Sequence, residues 1–457
     1  MPEQPTLKRD LGVWGAIAIV VGTVIGSGIF LVPKTMINNV GSPAMLFFVW
    51  VFGGLLSLFG ALTYAELAAA MPEAGGEYVY LREAYGPLFG FIYGWTQTWV
   101  AKAASIATLA TGFFTYFANF VPVLETVLWR IDLPIGPHGG PLEIRYGQLL
   151  AIATVILLAI VNYFGVKIGG GVQVAVTVLK VALIAAIICV GMFLGKGTFS
   201  HYSETIPAVG GASGFFAALV AALWAYDGWN NVVMVASEIK RPQRNLPLAL
   251  IGGTLLVVII YILTNVAYFY ILHPAEVGQA DRVASEMMRH ILGTGGAAWV
   301  SLAAMISIFA ALNGSILSGA RVPYATARDG LLFKGLATVH PTHHTPSVAI
   351  IVLSLWSCLI VLTGRYDDLF NLVIFSSWIL YTMTAVSVIV LRKKRPDMDR
   401  PYRTLGYPYV PIAFVLVALA LLAQTLIDRP RESLFGLGII IVGLPFYFYW
   451  KRRLLVQ

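Results

Sequence analysis

Apolar residues in this chain do not alternate with polar ones. They run on in long stretches separated by short polar segments. A helix rises 1.5 Å per residue, so about 20 apolar residues cross the ~30 Å hydrocarbon layer of a bilayer. About twelve stretches are long enough, at roughly 13–36, 43–70, 87–120, 147–165, 173–195, 212–237, 249–272, 297–320, 347–363, 368–391, 408–427 and 434–450. The third is long enough to be one tilted helix. Little sequence is left for a soluble domain, so the pattern predicts an all-α integral membrane protein with one transmembrane domain over 1–457. The first segment, MPEQPTLKRDLG, is polar and short, and the run after it is too long for a cleaved leader. The first helix is therefore expected in the mature protein.

Composition agrees. The chain is 58% hydrophobic and 11% charged, against about 45–50% and 25% in soluble domains. The formal charge of +8 raises the question of nucleic acid, and its placement answers it. With the N-terminus inside and twelve crossings, about 19 of the 30 Lys and Arg fall on the cytoplasmic side and about nine outside. Two, Lys102 and Lys180, lie within spans. The basic balance is topology: a multi-pass protein of the cell (inner) membrane, with both termini cytoplasmic and no nucleic-acid partner. Cys189 and Cys358 both sit in apolar runs and offer no disulfide framework.

Two spans are interrupted. The first carries GTVIGSGIF at Gly22–Phe30, and the sixth carries LWAYDGWNN at Leu223–Asn231. Gly22 and Gly26 also form a GxxxG, the small-residue pattern of helix packing. A second interruption about 200 residues later favours a functional break, because five spans of about 40 residues separate the two, as in an inverted five-helix repeat. Repeats over about 11–195 and 211–392 follow, with two extra C-terminal helices over about 408–450. Unwound backbone is tolerated in a membrane only where protein or a cavity surrounds it. N–H groups at a broken helix end attract an anion and terminal carbonyls attract a cation. A zwitterion such as an amino acid suits such a pair.

The matching stretches go further. GTVIGSGIF, YAELAAAMPEAGGEYVYLREAYGP, WAYDGWNNVVMVASEIKRPQRNLPLAL, NGSILSGARVPYATARDG and the basic RKKRPDMDRPYR resemble the amino acid–polyamine–organocation superfamily, specifically its L-type amino acid transporter branch and the prokaryotic members of it. The resemblance covers nearly the whole chain. It implies a LeuT-like five-plus-five inverted repeat with helices 1 and 6 broken, no cofactor, and an amino acid as substrate. It implies that the Gly26, Ser27 and Gly28 amides and the Ser27 hydroxyl receive the carboxylate. Carbonyls around Val24, Ile25, Trp224, Ala225 and Asp227 would hold the α-ammonium, and Trp224 would be the gate that closes from outside. Ser377 matches a position that lines the pocket in relatives, and Asn313, Gly314 and Ser315 would face span 1 as structural support; each could equally serve an interhelical hydrogen bond. Lys180 would stand where relatives bind sodium, bridging spans 1 and 8 through backbone oxygens.

Some readings stay open. Asp227 replaces a glycine of relatives selective for large neutral substrates; it either caps the restarted helix or meets an ammonium. Lys180 either keeps its proton, giving an ion-independent exchanger, or carries a coupled proton, and it could also snorkel. Tyr226 and Trp229 read as packing, Lys102 as structural, and Glu238, Arg241, Arg244 and Asn245 as an inner gate or loop clamp. The outer loop at about 121–146 has no cysteine, whereas animal members of the branch bond to a glycoprotein subunit there, so no covalently linked ancillary subunit is expected. No HExxH, paired intramembrane aspartates or metal-ligand spacing appears, and His340, His343 and His344 fall in a polar loop. The chain reads as a non-enzyme: a secondary transporter working by alternating access, most simply by sodium-independent exchange of neutral L-amino acids. Proton-coupled symport, acceptance of cationic amino acids and, from another class, an ion channel are the alternatives.

Overall fold

The computed structural model describes residues 6–132, 141–363, 366–428 and 430–456. Each of the twelve apolar runs lies on helix. The first span is α1 (Val13–Val24) and α2 (Gly28–Val40), and the second is α3 (Pro43–Ala70). A short helix, α4 (Glu77–Tyr85), precedes the third span. That span is α5 (Pro87–Thr96) and α6 (Lys102–Phe117), joined by a wide π-helical turn at Gln97–Ala101. Spans four and five are α7 (Tyr146–Tyr163) and α8 (Val166–Leu194). The sixth is α9 (Gly211–Tyr226) and the four-residue α10 (Asn231–Met234).

The seventh span is α11 (Pro242–Ile271), followed by a short helix, α12 (Pro274–Gln279). The eighth is α13 (Val283–Gly319), bent at Gly293, where φ is 69°. Helix α14 (Arg321–Arg328) follows it. The remaining spans are α15 (Ser347–Val361), α16 (Tyr366–Lys394), α17 (Tyr409–Asp428) and α18 (Pro430–Val456).

Among the described residues eight helical segments are long and apolar enough to cross a membrane, with α9 and α15 as shorter apolar helices. Three of the four spans missing from that number have local causes: the sixth stops at its break, the third is divided by the π-helical turn, and the ninth has only 15 residues. The chain is a multi-pass membrane protein. Two features differ from the all-helical expectation. The third span is not one continuous α-helix, and β1 (Val127–Ile131) pairs antiparallel with β2 (Leu142–Arg145) in the loop between spans three and four. The second strand buries Leu142 and Ile144 on one face, which is why so short a hairpin lies down on the bundle.

Packing follows the five-span offset read from the sequence: α3 lies along α11, α6 along α13, and α2 along α9. Both breaks sit inside the bundle, where α1 also touches α8, α11 and α13. The amide of Leu11 donates to Glu238 O at 3.0 Å and the amide of Lys240 donates to Leu11 O at 2.8 Å. The segment before the first span is thus tied to the segment after the sixth.

Candidate functional site

Helix α1 stops at Val24 because Ile25 leaves helical geometry (φ −72°, ψ 88°), and α2 starts again at Gly28. That strands the last carbonyls of α1 in a medium without water. Side chains from three other spans take them up. The Lys180 ammonium donates to Gly22 O at 2.6 Å and to Ile25 O, with Ser307 O at 3.4 Å. The Ser307 hydroxyl donates to Ile25 O at 3.0 Å. The Tyr261 hydroxyl lies 2.9 Å from Val24 O and 2.8 Å from Ala225 O, bridging the two breaks. Lys180 is fully buried, so it does not snorkel.

The sixth span breaks differently. Asp227 turns extended (φ −61°, ψ 144°) and Gly228 takes φ 103°, a left-handed conformation that strains any residue with a Cβ. Thr23 Oγ1 lies 2.9 Å from Gly228 O, a second tie between the breaks. They come closest at Gly28, where a Cβ would stand 2.6 Å from Ala225 Cα. Only glycine permits this approach. Gly22 and Gly314 serve packing as well, since Cβ atoms there would strike Gln173 and Thr23.

Between the breaks lies a cavity of about 20 Å³. Val24, Gly26, Ser27, Gly28, Trp224, Asp227 and Ser315 line it, together with Thr23, Ser105, Leu109, Gly228 and Asn231. That volume suits about one water and not an amino acid. Trp224, 6% exposed, forms part of its wall. Substrate entry therefore requires the walls to separate. Ser377 is buried on α16 and does not line this cavity; Tyr381, one turn further, reaches the site instead. Asn313 makes interhelical hydrogen bonds. It accepts from Asn162 at 2.8 Å and donates to Gln173 Oε1 at 2.9 Å, facing spans four and five rather than span one.

Asp227 does not cap α10 through its side chain. The residue preceding that helix is Asn230, which makes no side-chain cap. The Asp227 carboxylate instead accepts the Tyr381 hydroxyl at 2.8 Å and meets the Gly228 amide. Lys102, on the third span, donates to Asn231 Oδ1 at 2.6 Å. Glu77, at the start of α4, accepts from Asn230 and from the Tyr93 hydroxyl at 2.7 Å. Tyr226 donates to Trp50 O at 3.1 Å and Trp229 packs edge-on against Tyr64, so both are packing residues. Tyr261, Tyr381, Ser307 and Glu77 were not singled out from sequence. A tyrosine in an apolar run gives no sign of whether its hydroxyl or its ring matters.

Arg321 grips Glu238 with two bonds, at 2.8 and 3.0 Å, with both side chains buried. Asn245 donates to Lys240 O, and Arg241 takes the left-handed region (φ 46°) at the start of α11; Arg244 is exposed beside it. His340 stacks on His343 at 4.4 Å and His344 meets Thr6 O at 3.1 Å. Among the described residues no cluster could hold a metal ion.

Two broken helices face each other across a closed cavity and are stitched together by side chains from other spans, an architecture suited to a membrane carrier. The comparison with known proteins gives the family. The chain belongs to the amino acid permease family, whose pattern matches residues 11–443. It is 35% identical to the serine/threonine exchanger SteT of Bacillus subtilis, over 99% of both chains. It is 32% identical to the b(0,+)-type amino acid transporter 1 of Mus musculus, over 98% of this chain and 89% of the relative. The human cystine/glutamate transporter is 31% identical over 99% of this chain and 87% of its own.

Proposed function

We propose that this amino acid transporter works by alternating access as a sodium-independent exchanger of neutral L-amino acids, with both termini in the cytoplasm of the cell that carries it in its inner membrane. The observation that carries the reading is the Lys180 ammonium on the Gly22 and Ile25 carbonyls. A fixed cation there supplies the charge that a bound metal cation would otherwise supply, so no ion need travel with the substrate. In the proposed cycle the substrate carboxylate meets the Gly26, Ser27 and Gly28 amides at the start of α2. Its ammonium shares the carbonyls of Val24 and Ala225 with Tyr261, since each carbonyl oxygen has two lone pairs. Trp224 and α2 then close over it, and the Glu238–Arg321 clamp and the Leu11 tie release on the inner side. A narrow polar cavity and the likeness to a serine/threonine exchanger support small neutral substrates. Repeats over 11–195 and 211–392 give the rocking halves, and the sequence supplies no cysteine at 121–146 for a covalent ancillary subunit.

A second reading, acceptance of cationic amino acids as well, is favoured by Asp227 at the cavity wall. The test is uptake of a panel of radiolabelled amino acids into proteoliposomes, with and without internal amino acid, sodium and a pH gradient. Uptake of neutral amino acids that needs internal substrate and ignores sodium is expected. Uptake that requires sodium or a proton gradient and no internal substrate would overturn exchange.

A further inference from the structure

The last helix ends beside a second and much larger cavity. The apolar run at about 434–450 stops at Lys451, Arg452 and Arg453. There α18 stands against the segment that follows α14, and the hollow between them holds about 990 Å³, compared with about 20 Å³ between the breaks. Small-molecule sites measure about 300–1,000 Å³, so this one is at the large end. It shares no lining residue with the cavity between the breaks.

Its lining divides by chemistry. Lys334, Arg452 and Arg453 supply three cations, and among the described residues no Asp or Glu lines the hollow. Phe333, Phe448 and Trp450 supply the apolar wall. Trp450 is buried and meets Phe333 edge-on at 5.1 Å, which joins α18 to a segment remote in sequence. Phe333 and Phe448 are still 56% and 55% exposed. The Arg453 guanidinium lies 4.9 Å from the centroid of the Tyr449 ring, a contact that holds a long side chain in place.

Positive charge at the end of a span is ordinary and sets topology. Topology needs no hollow, no aromatic wall and no further cation brought by a second segment. Those features suit an occupant with an anionic head and an apolar body. Guanidinium groups pair with phosphate oxygens through parallel N–H bonds. Ile441, Pro445 and Phe448 are spaced four and three residues apart, so they share one face of α18. That face leads from the cavity back along the apolar run, and Ile441 on it is exposed. In a membrane protein the molecule that presents a charged phosphate beside hydrocarbon is a lipid.

We propose that this cavity binds an anionic phospholipid, with its phosphodiester among Lys334, Arg452 and Arg453 and one acyl chain along Ile441, Pro445 and Phe448. The bound lipid clasps the end of α18 to the segment after α14. The site stands apart from the substrate and holds whatever the protein carries.

The experiment titrates the full-length protein, purified in dodecyl maltoside, with dioleoyl phosphatidylglycerol or dioleoyl phosphatidylcholine and reads bound lipid by native mass spectrometry. The wild type should hold phosphatidylglycerol at least about tenfold more tightly than phosphatidylcholine, and Lys334→Gln/Arg452→Gln/Arg453→Gln should lose at least about tenfold in affinity for it. Lys8→Gln/Arg9→Gln/Lys393→Gln removes as much exposed charge outside the cavity and should bind as the wild type does. Glycerophosphoglycerol, the same head without acyl chains, should not displace the lipid at equal concentration. If the cavity variant does not fold, Arg453→Glu, a single change at an exposed residue, decides with a loss of at least about fivefold. Equal binding of the two lipids by the wild type overturns the proposal, as does unchanged binding by a folded cavity variant. An equal loss in the distant variant, or displacement by the head alone, overturns it too.

Discussion

Replacing Lys180 with alanine removes an ammonium that ties the first break to spans five and eight. The Gly22 carbonyl bears most of the loss, because its helical donor would be the Gly26 amide, beyond the end of α1 at Val24. The Ile25 carbonyl keeps the Ser307 hydroxyl at 3.0 Å. The Ser307 carbonyl lies within α13 and loses only a long contact of 3.4 Å. One charge-assisted bond to a carbonyl contributes about 1.5–3 kcal/mol. One whole bond and part of a second amount to about 3 kcal/mol, or about 150-fold in the population of the ordered break at 1.36 kcal/mol per decade. Overall stability should move less, since burying the ammonium itself costs several kcal/mol that the variant recovers.

The assay follows from that split. Purified Lys180→Ala should remain monodisperse with a melting temperature near wild type, while exchange in proteoliposomes preloaded with substrate falls about 100-fold. Folded Lys180→Ala protein that exchanges at the wild-type rate would refute the role of the ammonium in ordering the break.

Three further outcomes can be checked. Gly28→Ala puts a Cβ 2.6 Å from Ala225 Cα and should abolish exchange. Gly12→Ala, with nothing within 4 Å, should be neutral in the same assay, and equal effects would remove the close approach from the mechanism. Arg321→Ala leaves Glu238 buried without its partner and should cost about 3–5 kcal/mol, seen as a large fall in melting temperature. The Glu238→Ala/Arg321→Ala pair should recover part of that loss, and no recovery would show that the two do not act as a pair. Trp224→Ala should leave the fold intact and raise the apparent KM for uptake. An unchanged KM and rate would remove Trp224 from the closing wall.

The spans were legible because hydrocarbon leaves a chain little choice: an apolar run long enough to cross must be helix. The breaks were legible for the same reason in reverse, since GTVIGSGIF and AYDGWNN stand out against such runs. What stayed hidden depends on neighbours remote in sequence. The Gly28–Ala225 approach explains a glycine that sequence alone assigns only to a loose segment. Tyr261 looks like any aromatic in an apolar run until α11 is placed against both breaks. Asp227 suggested a cap because it precedes a restarting helix, but the helix restarts four residues later and Tyr381 arrives from α16 to take the carboxylate. The π-helical turn before Lys102 carries no composition signal at all, although it shapes the helix from which that lysine reaches Asn231.

The way the first break is satisfied also sets an order of assembly during synthesis. Gly22 and Lys180 are separated by 158 residues, Thr23 and Gly228 by 205, and Val24 and Tyr261 by 237. At about 5–20 residues per second, the first span waits roughly 8–30 s for the ammonium that its carbonyls need, and longer for the two hydroxyl-mediated ties. Until then the unwound segment has no permanent partner. The two halves of the chain are therefore not independent folding units. A fragment ending in the segment between spans five and six would hold Lys180 against a half-finished break, and a fragment beginning there would present Gly228 and Ala225 with nothing to meet. Neither half alone holds all the groups that satisfy the two breaks.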